Sequence, residues 1–246
     1  MCYHKQDVAM EQELWAHYQA MMKSESYLAT YYENGFDFKP SPVLTVEKPK
    51  EFTFMKWGLV PWWTKSSTDA RQIRLRTLNC ISEEMYDKSS FRDSAKEGKR
   101  CLIPCTGFFE WRWFNNGKNK YPYFIHIKSE KIFSIAGLHS SWTDKSSGEE
   151  VNTYAVLTTK ANALMEKIHN SKKRMPVILM KDIEKDWLNP SLTKEDVLAI
   201  CAEPLADDAL EAYTISKMIT DRKVDNKDVA GITKPFDYPE LALLDA

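Results

Sequence analysis

An α+β protein is what this sequence predicts: one domain around a mainly antiparallel, barrel-like sheet, with helices at its periphery. Three observations carry that reading. The middle of the chain is a succession of strand-type runs, RCLIPCTGFFEWRWF, YPYFIHI, KIFSIAGLHSSW and NTYAVLTTKA. Helix-type spacing is confined to the two sides of that block. No repeat, low-complexity segment or linker interrupts residues 1–246, so one domain is expected, its motifs within about 2–180 and a helical and extended part over about 181–246.

The elements follow in order. Val8, Leu14, Trp15, Tyr18 and Met22 are spaced for a helix over about 7–22. FKPSPVLTVEKPKEF, with its three prolines, reads as a loop. EFTFMKWGLVPWW is a strand ending in a proline-bounded turn, and EEMYDKSSF a short helix. In the middle block Asn116-Gly117 signals a hairpin, because both residues accept the positive φ of a tight turn. ANALMEKIH then reads as a helix, RMPVILM as a strand, IEKDWL and KEDVLAICA as helices and AYTISKMI as a last strand, before an extended tail with Pro235 and Pro239.

Composition excludes several function classes. A net charge of −1 gives no global field toward nucleic acid, so any such binding needs a local basic groove. No apolar run approaches a membrane span, and Lys5, Gln6 and Asp7 stand where a signal peptide would be apolar. The five cysteines are odd in number and scattered, unlike a disulfide framework, which points to a reducing cytoplasm. Cys101 and Cys105 have no second pair at zinc spacing, so no metal is expected.

Cys2 raises the sharpest chemical question. It is either a residue without a role, a small buried hydrophobe, or, once Met1 is removed, an aminothiol. A terminal α-amine has a pKa of about 7.7–8.0, so about one in seven is neutral at pH 7. An aldehyde can form an imine with that amine, and the neighbouring thiol can close a five-membered thiazolidine. Tethering makes the second step fast. No internal cysteine can do this, because its nitrogen is in an amide.

Other candidates stay open when taken alone. Glu110 in GFFEWRW is placed by strand alternation opposite Phe109 and Trp111, which makes it either a solvent-facing charge or, in a cleft, a proton shuttle with raised pKa. His169 in KIHNSKKRMPVIL is structural or catalytic. Asn79 is a turn former or a side chain that orients a ligand. Trp62 and Trp63 are core residues or a stacking surface beside Lys56, Lys65, Arg71, Arg74 and Arg76.

In sequence, Cys2, WGLVPWW, NCISEE, RCLIPCTGFFEW, IAGLHSSW, LTTKAN and IHNSKKRMPVIL resemble the SOS response-associated peptidase family, over residues 2 to about 180. The resemblance implies a sensor of abasic sites in single-stranded DNA that forms a thiazolidine crosslink through Cys2, with autoproteolytic removal of Met1 and lyase activity as companions. It implies that Asn79 holds the sugar or the Cys2 backbone, that Glu110 shuttles protons, and that His169 assists proton transfer and reversal. Trp62 and Trp63 would stack on or wedge between bases, with Arg71, Arg74, Arg76, Arg100 and Arg174 at phosphates. It implies no cofactor, no metal, a monomer, and a cytoplasmic protein that joins the nucleoid on DNA. The sequence departs from the family pattern at Tyr3 and His4, where Gly-Arg is common, and at Ile81, where an Arg is common; the segment from His169 to Arg174 is long. An N-terminal-nucleophile amide hydrolase and a noncatalytic single-strand-binding module are the competing readings.

Overall fold

The structure, a computed structural model, describes residues 2–23 and 27–242; Met1, whose removal is expected to free the Cys2 amine, lies outside them. In chain order, strand β1 (His4–Asp7) leads into helix α1 (Glu11–Tyr18), then β2 (Thr30–Asn34), β3 (Pro40–Thr45) and β4 (Thr53–Trp57). Helix α2 (Ser67–Arg74), β5 (Asn79–Ile81) and α3 (Arg92–Lys96) come next. The middle block supplies β6 (Arg100–Cys105), β7 (Gly107–Phe114), β8 (Asn119–Ile127), β9 (Phe133–Thr143) and β10 (Glu150–Lys160). The chain continues through α4 (Ala163–Ile168), β11 (Arg174–Pro176), β12 (Ile178–Leu179), α5 (Lys181–Trp187) and α6 (Lys194–Ala202) to β13 (Leu210–Thr214) and α7 (Pro239–Ala242).

Two sheets result. One has the strand order β13-β8-β7-β1-β2 and is antiparallel at every pairing. In the other, β10, β4, β3, β6 and β9 pair in succession and β9 returns to β10, closing a five-stranded barrel; β5, β11 and β12 extend its rim. The expected α+β, barrel-like architecture is the one observed. Closure removes sheet edges, which is how a strand-rich chain avoids exposing unpaired backbone.

Two large apolar clusters hold most of the core. Cys2, Val43, Trp57, Ile103, Phe108, Ile135 and Val156 belong to one apolar cluster drawn from both sheets. Leu44, Leu102, Leu138 and Leu157 of the barrel pack with Trp187 and Val197 of α5 and α6 in another. Trp187 is fully buried and donates its indole N–H to the Cys101 carbonyl at 3.0 Å, so its polar atom is satisfied inside the core.

Several expectations are corrected. Residues 38–52 are not a loop throughout: Pro40 and Pro42 lie in β3, paired with Lys56 and Phe54 of β4, while β6 takes the other edge only from Leu44 onward. The missing proline N–H groups therefore cost no ladder bond. The helix expected from residue 7 starts at Glu11, and residues 4–7 are a strand. The long run from Arg100 to Phe114 breaks at Thr106, where β6 of the barrel hands over to β7 of the other sheet. There Thr106 N–H donates to the Gln6 carbonyl at 2.8 Å, and the Thr106 hydroxyl accepts from Val8 N–H at 3.1 Å. The short helix expected over 83–91 is a 3₁₀ turn at Ser82–Glu84 followed by irregular turns. The RMPVILM strand divides into β11 and β12 on opposite sides of the barrel seam.

The hand-over after Thr106 needs a glycine. A Cβ on Gly107 would sit 2.2 Å from Phe124 Cζ and 3.1 Å from the Ile125 carbonyl, and Phe124 is buried. Gly107→Ala is expected to cost about 1–3 kcal/mol, read as a lower urea midpoint at unchanged m-value. Gly231→Ala, whose nearest neighbour would be 3.9 Å away, should leave the midpoint near that of the parent.

Candidate active site

The site begins with how β1 is held. It lies in the interior of its sheet, its residues His4 and Lys5 paired with Phe109 and Phe108 of β7 on one side and with Asn34 and Glu33 of β2 on the other. Tyr3 continues the second ladder, accepting from Gly35 N–H at 2.9 Å. Gly35 has no room for a side chain, because a Cβ would come within 2.9 Å of the Trp57 ring and 3.1 Å of Leu78.

A buried ion pair locks that register. Lys5 Nζ lies 2.7 Å from Glu33 Oε2, with side chains 1% and 7% exposed. Ser41 of β3 and Tyr154 of β10 donate their hydroxyls to Glu33 Oε1 at 2.5 and 3.3 Å, so the carboxylate also ties the sheet to the barrel. Burial alone would pull Lys5 down, but the charges of Glu33 and Asp7 outweigh it and hold the ammonium above its usual pKa.

Cys2 is fully buried in the apolar cluster, and its Sγ–H donates to the His4 carbonyl at 3.6 Å. Burial, then the charge of Glu110, then Cys105 push the thiol well above its usual pKa. In this state it is a neutral thiol. Glu110, on β7, is 4% exposed, and burial lifts its carboxyl to about 7. Of the two readings left open for Glu110, the structure gives the cleft: Phe108, Phe109 and Glu110 are all buried, because this part of β7 is covered on both faces.

His169 caps the C-terminal end of α4 and is 6% exposed. Its Nδ1 lies 2.6 Å from the Arg174 carbonyl, which can only accept, so Nδ1 carries the proton and donates. Nε2 is then the basic nitrogen, and it faces Glu110 Oε2 at 4.0 Å. Burial first, then the charge of the chain's terminal amine, and last that of Lys172 lower the ring to about 4 against the pull of that carbonyl. Near neutral pH the pair is therefore a neutral imidazole beside a carboxyl that is about half protonated: one mobile proton between two groups. Both residues line a cleft of about 440 Å³.

Asn79 lies on β5, beside Val156 of β10. Both ends of its buried side-chain amide lack a hydrogen-bond partner among the described residues. Its neighbour Leu78 belongs to the apolar cluster of Cys2 and accepts the indole N–H of Trp57 at 2.8 Å. Asn79 does not line the cleft of Glu110 and His169.

The other sequence candidates divide. Trp62 and Trp63 are 61% and 40% exposed, and Trp62 donates its indole N–H to Asp93 at 3.0 Å. Arg71 and Arg76 are exposed. Arg74 stacks 4.0 Å from the Phe38 ring centroid, donates to the Trp57 carbonyl at 3.2 Å, and is lowered to about 10 by burial. Arg174 forms a two-point pair with Glu83, both contacts at 2.7 Å, which holds Glu83 at about 2. Arg100 is 3% exposed and donates to the carbonyls of Trp187 and Asn189 at 3.0 and 2.6 Å. The last two guanidiniums are engaged within the fold, and Arg100 has no open side from which to meet a phosphate.

Aromatic contacts that the sequence does not signal complete the surroundings. Tyr3 packs against Phe36 with ring centroids 5.3 Å apart and planes tilted by 32°. His4, where the family pattern has Arg, lies parallel to Tyr32 at 5.3 Å and edge-on to Trp111 at 4.9 Å. Its Nδ1 is 2.8 Å from the Tyr32 hydroxyl, and burial, with Lys227 nearby, lowers it to about 4. It is a neutral aromatic at pH 7 and not a substitute cation. No pattern in the sequence signals these ring contacts, which depend on three separate strands.

The chain is similar to known proteins in sequence and in fold. The model of a family described as SOS response associated peptidase (SRAP) matches residues 1–222. The chain is 38% identical over 169 residues to the abasic site processing protein YoqW of Bacillus subtilis, covering 69% of this chain and 71% of that protein. It is 35% identical over 155 residues to the abasic site processing protein HMCES of Gallus gallus, covering 55% of this chain and 44% of that protein. A crystal structure of a protein from Bacteroides thetaiotaomicron superposes with a TM-score of 0.88 at 36% identity, over 96% of this chain and all of that one. A second, from Bordetella bronchiseptica, shares the fold with a TM-score of 0.74 at 21% identity, over 87% of this chain and all of that one.

Two predictions arise from the site. Lys5→Met leaves Glu33 buried without its cation and should cost about 3–5 kcal/mol in urea unfolding, with Lys5→Met/Glu33→Gln recovering much of the loss. The proton-sharing pair has a signature in stability against pH. Glu110 keeps its proton longer when folded, so its contribution falls as pH rises from 4.5 to about 7. His169 takes its proton later when folded, so its contribution rises between about 4 and 6.5. The two slopes oppose each other. Relative to the parent, Glu110→Gln should steepen the rise in stability across pH 4.5–6.5, and His169→Ala should steepen the fall, as measured by urea midpoints.

Proposed function

The chain belongs to the SOS response associated peptidase family, and on that premise we propose that it processes abasic sites in single-stranded DNA by a covalent crosslink through Cys2. The observation that carries the reading is the meeting of three groups: a buried thiol two residues ahead of an interior strand and within reach of the Glu110 charge, a carboxyl of pKa about 7, and a neutral imidazole whose basic nitrogen faces that carboxyl at 4.0 Å. The abasic-site processing proteins named among the relatives support it.

With Met1 removed, the Cys2 α-amine attacks the aldehyde carbon of the ring-opened sugar and gives a carbinolamine. The protonated Glu110 carboxyl donates to the departing hydroxyl, and one water leaves as the imine forms. Sγ then adds to the imine carbon. The thiol proton passes to the Glu110 carboxylate and on to the nitrogen, and the thiazolidine closes. The proton that leaves nitrogen as the imine forms returns to the Glu110 carboxylate, the stronger base, and His169 Nε2 relays it. A neutral thiol suits this order, because the amine reacts first and the sulfur is deprotonated only as it adds.

The environment selects against simpler chemistry. Burial keeps the thiol from reacting as a free thiolate with unrelated electrophiles. Asn79, with an unsatisfied amide, is suited to receive a hydroxyl of the sugar. Trp62, Trp63, Arg71 and Arg76 supply exposed rings and cations for the strand on either side of the lesion, and Arg74 a half-buried one. Arg174 acts through the loop of His169 and its bond to Glu83.

The test is covalent retention on a denaturing gel, using processed protein and a strand with one abasic site. Cys2→Ala should retain no DNA. Cys2→Ser should give at most a labile adduct, and Glu110→Gln should slow attachment about 10²–10⁴-fold, the usual range for loss of a general acid–base group. A stable adduct in Cys2→Ser at the parental rate would refute the thiazolidine.

A further inference from the structure

The cleft that holds Glu110 and His169 is larger than proton transfer at one sugar needs. The rest of its wall is aromatic and basic: Tyr3, Trp111, Trp113, Lys120 and Lys172, with the Ser171 hydroxyl. Trp113 stands 42% exposed on β7, and Lys120, its cross-strand partner on β8, sets its ammonium 4.4 Å from the ring centroid.

The opposite wall is the segment after α4, and its position is fixed by an unusual contact. β1 covers the edge of β7 only as far as Phe109. Beyond it, the Asn170 side chain takes the place of a neighbouring strand. Trp113 N–H donates to Asn170 Oδ1 at 3.0 Å, and Asn170 Nδ2 donates to the Trp113 carbonyl at 2.7 Å. Ser171 and Lys172 follow directly, so the amide clamp presents them across from Trp113. Lys173 turns away with φ 52° and pairs with Glu166 at 2.6 Å. Lys172 is left exposed at the cleft.

We propose that this cleft is a nucleotide subsite, in which an unpaired base next to the reacting sugar stacks on Trp113 and its phosphate is met by Lys172 and Lys120. The chemistry selects that occupant. A flat ring surface with two ammonium groups, and no carboxylate but the reacting Glu110, matches a base joined to a phosphate rather than a peptide or an acyl chain. A volume of about 440 Å³ falls within the roughly 300–1,000 Å³ of sites that enclose a small ligand. The inference rests on the abasic-site reading for which strand enters, but the subsite is distinct from the Trp62–Trp63 surface, none of whose residues lines this cleft.

The experiment measures noncovalent binding by fluorescence anisotropy, with processed protein and a single strand carrying an unreactive tetrahydrofuran abasic analogue. Trp113→Ala should raise the half-saturating concentration ~5- to 150-fold, the range for loss of one stacked base, and Trp113→Phe should restore most of it. Lys172→Ala should lower the slope of log affinity against log salt by about 0.7, the value for one phosphate of a single strand. Lys145→Ala, on an exposed hairpin outside the cleft, should bind like the parent. Parental affinity in Trp113→Ala together with a parental salt slope in Lys172→Ala would overturn the subsite. The two readings fail separately. Trp113-dependent binding without any adduct on an aldehyde-bearing strand would keep the subsite and sink the crosslink. An adduct with no effect of Trp113 or Lys172 on binding would do the reverse.

Discussion

Lys5 and Glu33 form an ion pair in the protein interior, and the placement of the N-terminal residues depends on it. Neither charge can be left alone there, so β1 has one acceptable register against β2. The same carboxylate accepts hydroxyls from β3 and β10, which carries the constraint across to the barrel. A chain terminus ordinarily frays. Here the ion pair begins three residues after Cys2, and strands stand on both sides, so Cys2 is delivered to a fixed point beside β7.

That fixed point gives the chemistry its economy. β7 brings Glu110, and the turn after α4 brings His169, each buried enough to lose its ordinary titration. Desolvation moves the two groups in opposite directions, the carboxyl up to about 7 and the imidazole down to about 4. Near neutrality the imidazole is uncharged and the carboxyl is about half protonated, so the site can both give and take a proton. The tautomer follows from one hydrogen bond, from Nδ1 to the Arg174 carbonyl. Proton exchange with the carboxyl then has one direction available, through Nε2.

Much of this was legible in the sequence, and the failures have physical causes. The strand runs of the middle block, the Asn116-Gly117 hairpin and the helices around Ala163, Lys181 and Lys194 were readable because local pattern and tertiary role agree. β1 was not, because Lys5 and Asp7 are charged residues on an interior strand, and only their buried partners make that tenable. β3 was hidden by prolines whose missing donors happen to face an unpaired edge. Cys2, Glu110 and His169 could be named as candidates from residue chemistry and family resemblance. The choice between an exposed and a buried Glu110 could not be made from alternation, which assumes one open face, whereas β7 is covered on both faces from Gly107 to Glu110. Arg100 reads as a surface cation and is in fact a buried donor to two carbonyls. The ring contacts of Tyr3, His4 and Trp111 and the Asn170 clamp join segments far apart in sequence and leave no local trace.

The central claim is that the terminal amine and thiol of one residue together capture an aldehyde. The most direct measurement is the intact mass of the denatured adduct between processed protein and a strand with one abasic site, followed by mapping of the modified peptide. The account predicts a heat-stable species one water lighter than the sum of protein and DNA, with the link on Cys2 and neither its amine nor its thiol free. A link through a lysine, or an adduct in which the Cys2 thiol still reacts with alkylating reagent, would contradict it.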